Sequence, residues 1–84
     1  MIFKEWLRDL SYEVLQGSLE VSVEDVVYDS RKARENTVFV CTKGTKVDSH
    51  DFIPQVVSAG VKVLVVERAI AVPQGVTAIL VHNG

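Results

Sequence analysis

The sequence has little of several features that define specialised classes of protein. Its 84 residues include one cysteine, Cys41, which excludes an internal disulfide or a multi-cysteine zinc site and favours the reducing cytoplasm. The longest unbroken apolar runs, such as Val63–Val66, are four residues long, whereas a membrane helix needs about 20. The charged N-terminus also lacks the apolar region of a signal peptide. We therefore expect a cytoplasmic domain that does not insert into a membrane.

Motifs for catalysis and metal binding are also absent. The sequence contains neither the G-x-x-x-x-G-K-[ST] phosphate loop nor H-E-x-x-H, and His50 and His82 lie in separate segments without companion ligands. Cys41 could pair with His50 as a nucleophile, but a lone cysteine in an apolar strand is far more often a core residue. We therefore predict no catalytic residue and no metal site in this chain.

The charge is nearly balanced. Nine basic and eleven acidic residues give a formal charge of −2, and the basic residues form no stripe, so we do not expect a nucleic-acid partner. With 48% apolar and 24% charged residues, the composition is that of a globular domain. The length suits a single domain over residues 1–84 with a small core. The sequence stops directly after its last predicted strand, so we expect the chain to be part of a longer protein.

Apolar periodicity predicts an α/β fold. Residues 2–15 carry apolar side chains at helical spacing, which predicts an amphipathic helix that buries Leu7 and Leu10 and ends at Gly17. Apolar segments predict strands near 26–29, 37–41, 62–67 and 77–81, and the 37–41 segment is rich in β-branched and aromatic residues. The 37–41 strand should be buried on both faces.

A second helix is predicted between the second and third of these strands. It lies near 51–59 and is N-capped by Asp48, Ser49 or Asp51. It should bury four apolar side chains, those of Phe52, Ile53, Val56 and Val57. Strand, helix and strand in this order form a βαβ unit, so we expect a small, mainly parallel, mixed sheet with flanking helices.

Two polar loops follow predicted strands, at the sheet edge where α/β proteins bind ligands. The candidate binding residues are Tyr28, Asp29, Ser30 and Arg31 in the first loop and Gly44, Thr45, Lys46, Val47, Asp48 and His50 in the second. Each loop also has a purely structural explanation. Asp29 and Arg31 can form a local ion pair, Asp48 can cap the helix, and His50 can be a surface residue.

Five short motifs, in this order, resemble the N-terminal domain of the Mur ligases. They are D-S-R at 29–31, V-F-V at 38–40, the loop glycine at 44, D-S-H-D-F-I at 48–53, and A-G-V followed by V-L-V-V-E within 59–67. The chain departs from the family pattern in two places. Glu35-Asn36 replaces the usual Gly-Asp at a surface turn, which we expect to be harmless, and Ser49 replaces the glycine after Asp48.

The resemblance implies that this domain binds the UDP end of UDP-N-acetylmuramoyl dipeptide. Ser30 and Tyr28 match positions that contact the uridine, and the segment 45–47 matches the loop that closes around it. D-S-R together with H-D-F-I favours the ligases that add the third residue of the peptidoglycan stem peptide over those that add D-Ala-D-Ala.

The resemblance also explains why catalytic motifs are absent. In this family the ATP loop, the magnesium ligands and the amino-acid pocket lie in further domains of the same chain. The parent enzyme would use ATP and Mg²⁺ to form an amide through an acyl phosphate, whereas this chain would hold no cofactor and be inactive by itself. A non-enzymatic α/β interaction module, in which the motifs are coincidental, is the remaining alternative.

Overall fold

The computed structural model describes residues 1–41 and 48–81, which form one five-stranded sheet with short helices. In chain order the elements are α1 (Phe3–Trp6), β1 (Tyr12–Gln16), β2 (Asp25–Val27), a 3₁₀ turn (Ser30–Lys32), β3 (Thr37–Val40), a second 3₁₀ turn (Ser49–Phe52), α2 (Ile53–Ser58), β4 (Val63–Val66) and β5 (Thr77–Val81). Within this described part, no helix is long and apolar enough to cross a membrane.

The sheet is mainly parallel, as the βαβ unit predicts, and one antiparallel strand makes it mixed. Its strand order is β1-β5-β4-β3-β2, in which β2, β3, β4 and β5 are parallel and β1 runs antiparallel to β5. The β3–α2–β4 segment is the predicted βαβ unit, with Val38 opposite Val63 and Val40 opposite Val65. All four predicted strands are present, although β2 ends at Val27 and leaves Tyr28 and Asp29 in the following loop.

The core consists of two apolar clusters, one on each face of the sheet, because successive strand side chains point in opposite directions. Phe39 and Leu64 pack with α2 in the first cluster, whereas Val38 and Val63 pack with α1 in the second. Every residue of β3 and β4 is buried. The prediction that the 37–41 strand is buried on both faces is confirmed.

The predicted helix over residues 2–15 is wrong. Helix α1 ends at Trp6, and the chain continues as β1, whose pairing with β5 supplies the backbone hydrogen bonds that a longer helix would have made internally. Leu7 is fully buried, but Leu10 lies between the two elements and is 43% exposed. The prediction that Leu10 is buried is therefore wrong as well.

Gly17 follows a strand and not a helix. Its φ of +84° turns the chain directly after β1, and its Cα lies against Thr77 of β5. The same corner is tied by Gln16, whose side-chain amide donates to the carbonyl oxygens of Pro73 and Val76 at 2.7 Å each. The sequence pattern predicts this glycine as the end of a helix, but here it lets β1 and its neighbouring strand approach closely.

The second helix is present but shorter than predicted. A 3₁₀ turn leads into α2, and Pro54 occupies the first turn, where its missing N–H leaves no hydrogen bond unmade. Ile53 and Val56 are buried in the core, whereas Phe52 and Val57 are only half-buried against it. The helix thus covers one face of the sheet as expected, and Phe52 leaves part of its ring accessible.

The surface turn at Glu35-Asn36 has a left-handed residue. Asn36 has a φ of 63°, a conformation that asparagine adopts more readily than most residues. Its carbonyl oxygen accepts a hydrogen bond from the Glu24 amide at 2.6 Å. The departure from Gly-Asp is therefore compatible with the turn geometry.

Candidate functional site

The carboxyl ends of the parallel strands lie at one edge of the sheet. Residues 28–31 follow β2, Cys41 follows β3, and Glu67 and Arg68 follow β4. Four predicted binding residues, Gly44, Thr45, Lys46 and Val47, lie outside the described residues. The remaining predicted residues are all near this edge, either in the loop after β2 or in the 3₁₀ turn before α2 and its cap.

The loop after β2 is organised by Asp29. One carboxylate oxygen accepts the backbone N–H of Arg31 at 2.9 Å, and the other accepts Nη2 of the same residue at 2.8 Å. The hydrogen bonds from Arg31 lower the pKa of Asp29 to about 2, and the carboxylate in turn raises the pKa of the guanidinium. The local ion pair anticipated from the sequence is present, and it shapes the 3₁₀ turn that carries Ser30.

A cleft of about 580 Å³ opens beside this loop. It is lined by Tyr28, Asp29, Ser30 and Arg31 from one side and by Phe52 and Gln55 from the other. Its volume falls within the range of small-molecule sites, but the cleft is wide open to solvent. Tyr28 is 63% exposed, and within the described ranges the Ser30 hydroxyl makes no hydrogen bond. An exposed ring and an unengaged hydroxyl are suited to a ligand with a flat ring and polar edges.

Sequence reasoning missed Phe52 and Gln55 as residues of the cleft. The helical pattern assigns Phe52 to the core and gives Gln55 no role. The only sequence signal is their position in the first turn of a helix that begins near the ligand edge. Their spatial neighbours, residues 28–31, are more than twenty positions away in the chain, so no local pattern could place them together.

The segment before α2 is held by a buried histidine. Nδ1 of His50 lies 2.5 Å from Oδ1 of Asp48, and Nε2 of the same ring accepts the backbone N–H of Glu67 at 3.1 Å. The His50 side chain is 2% exposed, so its interpretation as a surface residue is wrong. Burial is possible here because both ring nitrogens have hydrogen-bond partners.

Asp48 also serves as the cap predicted from the sequence. Its Oδ1 accepts the backbone N–H of His50 at 3.0 Å, and its Oδ2 accepts Nη2 of Arg68 at 3.1 Å. The hydrogen bond from the His50 ring is the main cause that lowers the pKa of Asp48 to about 2. Both carboxylate oxygens are thus engaged within the protein, where they hold the turn that leads into α2.

Cys41 is a core residue. Its side chain is fully buried in the cluster beneath α2, and burial raises the pKa of the thiol to about 12. A thiol with so high a pKa supplies almost no thiolate at neutral pH. His50 could not activate it either, because Nε2 already accepts the Glu67 amide.

A smaller cleft, of about 310 Å³, lies at the opposite edge of the sheet, near Glu35, Lys62 and Thr77. It is the more enclosed of the two, but its buried hydroxyls have partners within the protein. Thr37 Oγ1 donates to the Arg34 carbonyl at 2.6 Å, and Thr77 Oγ1 donates to the Ser18 carbonyl at 3.2 Å. We therefore place the candidate site at the larger cleft, where the polar groups face solvent.

In the part of the chain that the structure describes, no metal-binding cluster accompanies either cleft. Among residues 1–41 and 48–81, no group of three or more His, Cys, Asp or Glu side chains is arranged to hold a metal ion. Around the larger cleft, the lining residues offer hydrogen-bonding groups, aromatic rings and the positive charge of Arg31.

Comparisons with known proteins give this arrangement a context. Residues 22–83 match the family described as "Mur ligase family, catalytic domain". The UDP-N-acetylmuramoyl-L-alanyl-D-glutamate--2,6-diaminopimelate ligase of Clostridium perfringens is 41% identical over 83 residues, which is 99% of this chain and 17% of that protein. The UDP-N-acetylmuramoyl-L-alanyl-D-glutamate--L-lysine ligase of Staphylococcus aureus is 43% identical over 67 residues, covering 80% of this chain and 14% of that protein.

Solved structures agree with the sequence comparisons. A crystal structure of MurF from Acinetobacter baumannii superposes with a TM-score of 0.66 at 33% identity, over 73% of this chain and 13% of that chain. The five-stranded α/β fold is thus similar to a part of that structure. The chain spans less than a fifth of the length of the proteins that it matches. The family match and the identity to both curated relatives show that this chain belongs to the Mur ligase family.

Proposed function

We propose that this chain is the N-terminal, UDP-binding domain of a ligase that adds the third residue to the stem peptide of peptidoglycan. The observation that carries the proposal is the larger cleft, which joins the loop after β2 to the first turn of α2 at the ligand edge of the sheet. The names of the two curated relatives share UDP-N-acetylmuramoyl-L-alanyl-D-glutamate as substrate and differ in the amino acid that is added. The shared part of those names supports a nucleotide-sugar ligand for this chain.

The cleft offers complementary groups to the uridine end of such a substrate. The Tyr28 ring presents a face on which a uracil ring can stack, and the Ser30 hydroxyl can donate to or accept from its polar edge or the ribose. Arg31 has an 86% exposed side chain and five N–H donors, of which Asp29 engages only some. The remaining donors can contact the diphosphate.

ATP chemistry would take place elsewhere in a longer protein. This sequence contains no phosphate loop, so we expect the chain alone neither to hydrolyse ATP nor to form an amide bond. ATP, Mg²⁺ and the amino-acid substrate would be bound by further regions of the longer protein, which correspond to the parts of the relatives that this chain does not span. The choice between diaminopimelate and lysine would be made there too.

The ligase that adds D-Ala-D-Ala is the second candidate. It is favoured by one observation, which is that the superposed A. baumannii structure is a MurF. The sequence motifs and the names of the curated relatives favour the third-residue ligase. An assay of the longer protein distinguishes them, because only one of the two enzymes extends the UDP-linked dipeptide. Family membership argues against the third alternative, an interaction module with coincidental motifs.

Chemical-shift titration of the chain with UDP-N-acetylmuramoyl-L-alanyl-D-glutamate tests the binding role. We expect shifts at residues 28–31 and 44–50 and at Phe52 and Gln55. Ser30→Ala should weaken binding by about 1 kcal/mol, or roughly fivefold, as for the loss of one hydrogen bond. Ser58→Ala is the matched control, since Ser58 is an exposed serine at the far end of α2. Shifts confined to the smaller cleft, or none at millimolar ligand, would refute the proposal.

A further inference from the structure

We propose that His50 is a positioning residue for the larger cleft. As the neutral tautomer with its proton on Nδ1, it ties the turn that enters α2 to the carboxyl end of β4. It thereby sets the position of the cleft wall formed by Phe52 and Gln55. The ligand-related part of this inference rests on the proposed function, whereas the tie itself can be tested without a ligand.

The first step is that one ring connects two separate elements. Nδ1 reaches Asp48, two residues earlier in the same segment, whereas Nε2 reaches the backbone of Glu67, 17 residues later and beyond the end of β4. With 2% of its side chain exposed, the ring has little contact with water. Of the two bonds that the ring makes, only the second joins the segment before α2 to the end of β4. The Asp48–Arg68 bond links the same two segments, but the ring takes no part in it.

The second step is that these partners specify the tautomer. A backbone N–H can only donate, so Nε2 must offer a lone pair to Glu67. The ring proton is then on Nδ1, where it donates to the Asp48 carboxylate. Asp48 is fixed in turn by Arg68 on its other oxygen. A proton on Nε2 would place two buried N–H donors, that of the ring and that of Glu67, opposite each other without an acceptor.

The third step connects the ring to the cleft. The carbonyl oxygen of His50 accepts the backbone N–H of Ile53, so the residue that carries the ring also belongs to the turn from which α2 begins. Phe52 and Gln55 project from that turn into the cleft opposite Tyr28. His50 is not among the lining residues. It would therefore influence ligand binding without touching the ligand.

A pair of substitutions separates the two bonds of the ring. The amide of His50→Gln extends to about the place of Nε2 and can accept the Glu67 N–H. The shorter amide of His50→Asn extends to about the place of Nδ1 and can only reach Asp48. Since the Glu67 bond joins the two elements, His50→Gln should retain the tie and His50→Asn should lose it. A general loss of packing would affect both variants alike.

Three measurements on the chain read this out. Long-range ¹H–¹⁵N spectra of the unsubstituted chain should show the proton on Nδ1. Hydrogen exchange at the Glu67 amide should be slow in the unsubstituted chain and in His50→Gln, and about tenfold faster in His50→Asn. With UDP as the probe, the affinity of His50→Asn should fall about three- to tenfold, as for one hydrogen bond, and that of His50→Gln should fall less.

Each outcome decides between the alternatives. A proton found on Nε2, or equal Glu67 exchange in the two variants, overturns the tie and with it the positioning role. If the proton is on Nδ1 and Glu67 exchange differs between the variants as expected, but both variants bind UDP equally well, only the positioning role is overturned. If UDP does not bind the unsubstituted chain, the proposed function and the ligand-positioning role both fail. The hydrogen bond between His50 and Glu67 would still be supported if the ring proton and the Glu67 exchange behave as expected. The spectrum of the unsubstituted chain identifies the tautomer even if a variant does not fold.

Discussion

A methyl group added at Gly17 should destabilise the protein more than one added at Gly75, although both glycines have a φ of +84°. At Gly17 the new Cβ would lie 2.4 Å from Oγ1 and 2.8 Å from Cα of Thr77. At Gly75 nothing lies within 4 Å of the same position. The two alanine variants therefore share the backbone strain and differ only in steric overlap.

The expected magnitudes follow from these two contributions. A left-handed conformation costs a non-glycine residue about 1–2 kcal/mol, and the stiffer unfolded chain offsets about 0.4–1 kcal/mol of this. Gly75→Ala should thus lose about 1 kcal/mol. The overlap at Gly17 involves the backbone of Thr77, which pairs with Val63, and a hydroxyl that donates to Ser18. Overpacking of this kind adds about 1–3 kcal/mol, so Gly17→Ala should lose about 2–4 kcal/mol.

Urea unfolding followed by tryptophan fluorescence measures the difference. Trp6 is the single tryptophan and stacks on Phe3 with ring centroids 6.0 Å apart, so its emission should report the folded core. Gly17→Asn and Gly75→Asn provide a second pair, because asparagine tolerates positive φ but still carries a Cβ. If the two alanine variants agree within about 0.5 kcal/mol, the close approach at Gly17 is not a constraint and the reasoning is wrong.

Three further predictions concern the core and its ionisable groups. Leu7→Ala should lose about 2–5 kcal/mol in urea unfolding, whereas Leu10→Ala should lose less than about 1 kcal/mol because Leu10 is 43% exposed. Equal losses would contradict the burial of Leu7 and the exposure of Leu10. The pKa of Asp48 is lowered from 3.8 to about 2, so its stabilising contribution is complete above about pH 4 and disappears as the pH falls towards 2. Urea midpoints measured across this range should fall less steeply for Asp48→Asn than for the unsubstituted chain, and parallel profiles would argue against the Asp48–His50 bond. The Cys41 thiol, fully buried and with its pKa raised to about 12, should react with a disulfide reagent at about pH 8 only after denaturation; rapid reaction of the folded chain would disprove its burial.

The central strands could be predicted from the sequence because their signal is local. β3 and β4 are runs rich in β-branched residues and buried on both faces, and α2 lies between turn signals that define its ends. The N-terminal prediction failed because residues 2–15 satisfy a helical period whose first half is used by α1. The remainder becomes β1 through pairing with β5, a partner so distant that no window of sequence contains both.

The candidate site, like the fold, could be predicted from the sequence only in part. The ligand edge and the turn around Asp29 follow from strand ends and short-range hydrogen bonds, which the sequence makes visible. The burial of His50 could not be predicted, because its partner is a backbone N–H on Glu67. A backbone amide is present at nearly every residue, so the sequence carries no sign of which one a buried ring will meet.

The strand order also constrains when the protein can fold during its synthesis. Among the five strands of the described sheet, β5 is made after the other four and lies between β1 and β4, so β1 gains its strand partner only once β5 has left the ribosome. Until then, both β1 and one edge of β4 present unpaired backbone groups, which are open to association with other chains. The pairing of β1 with β5 closes a loop that contains the other three strands, and this is slow relative to the pairing of strands close in sequence. β3 and β4 can therefore pair, with α2 between them, well before the sheet is complete.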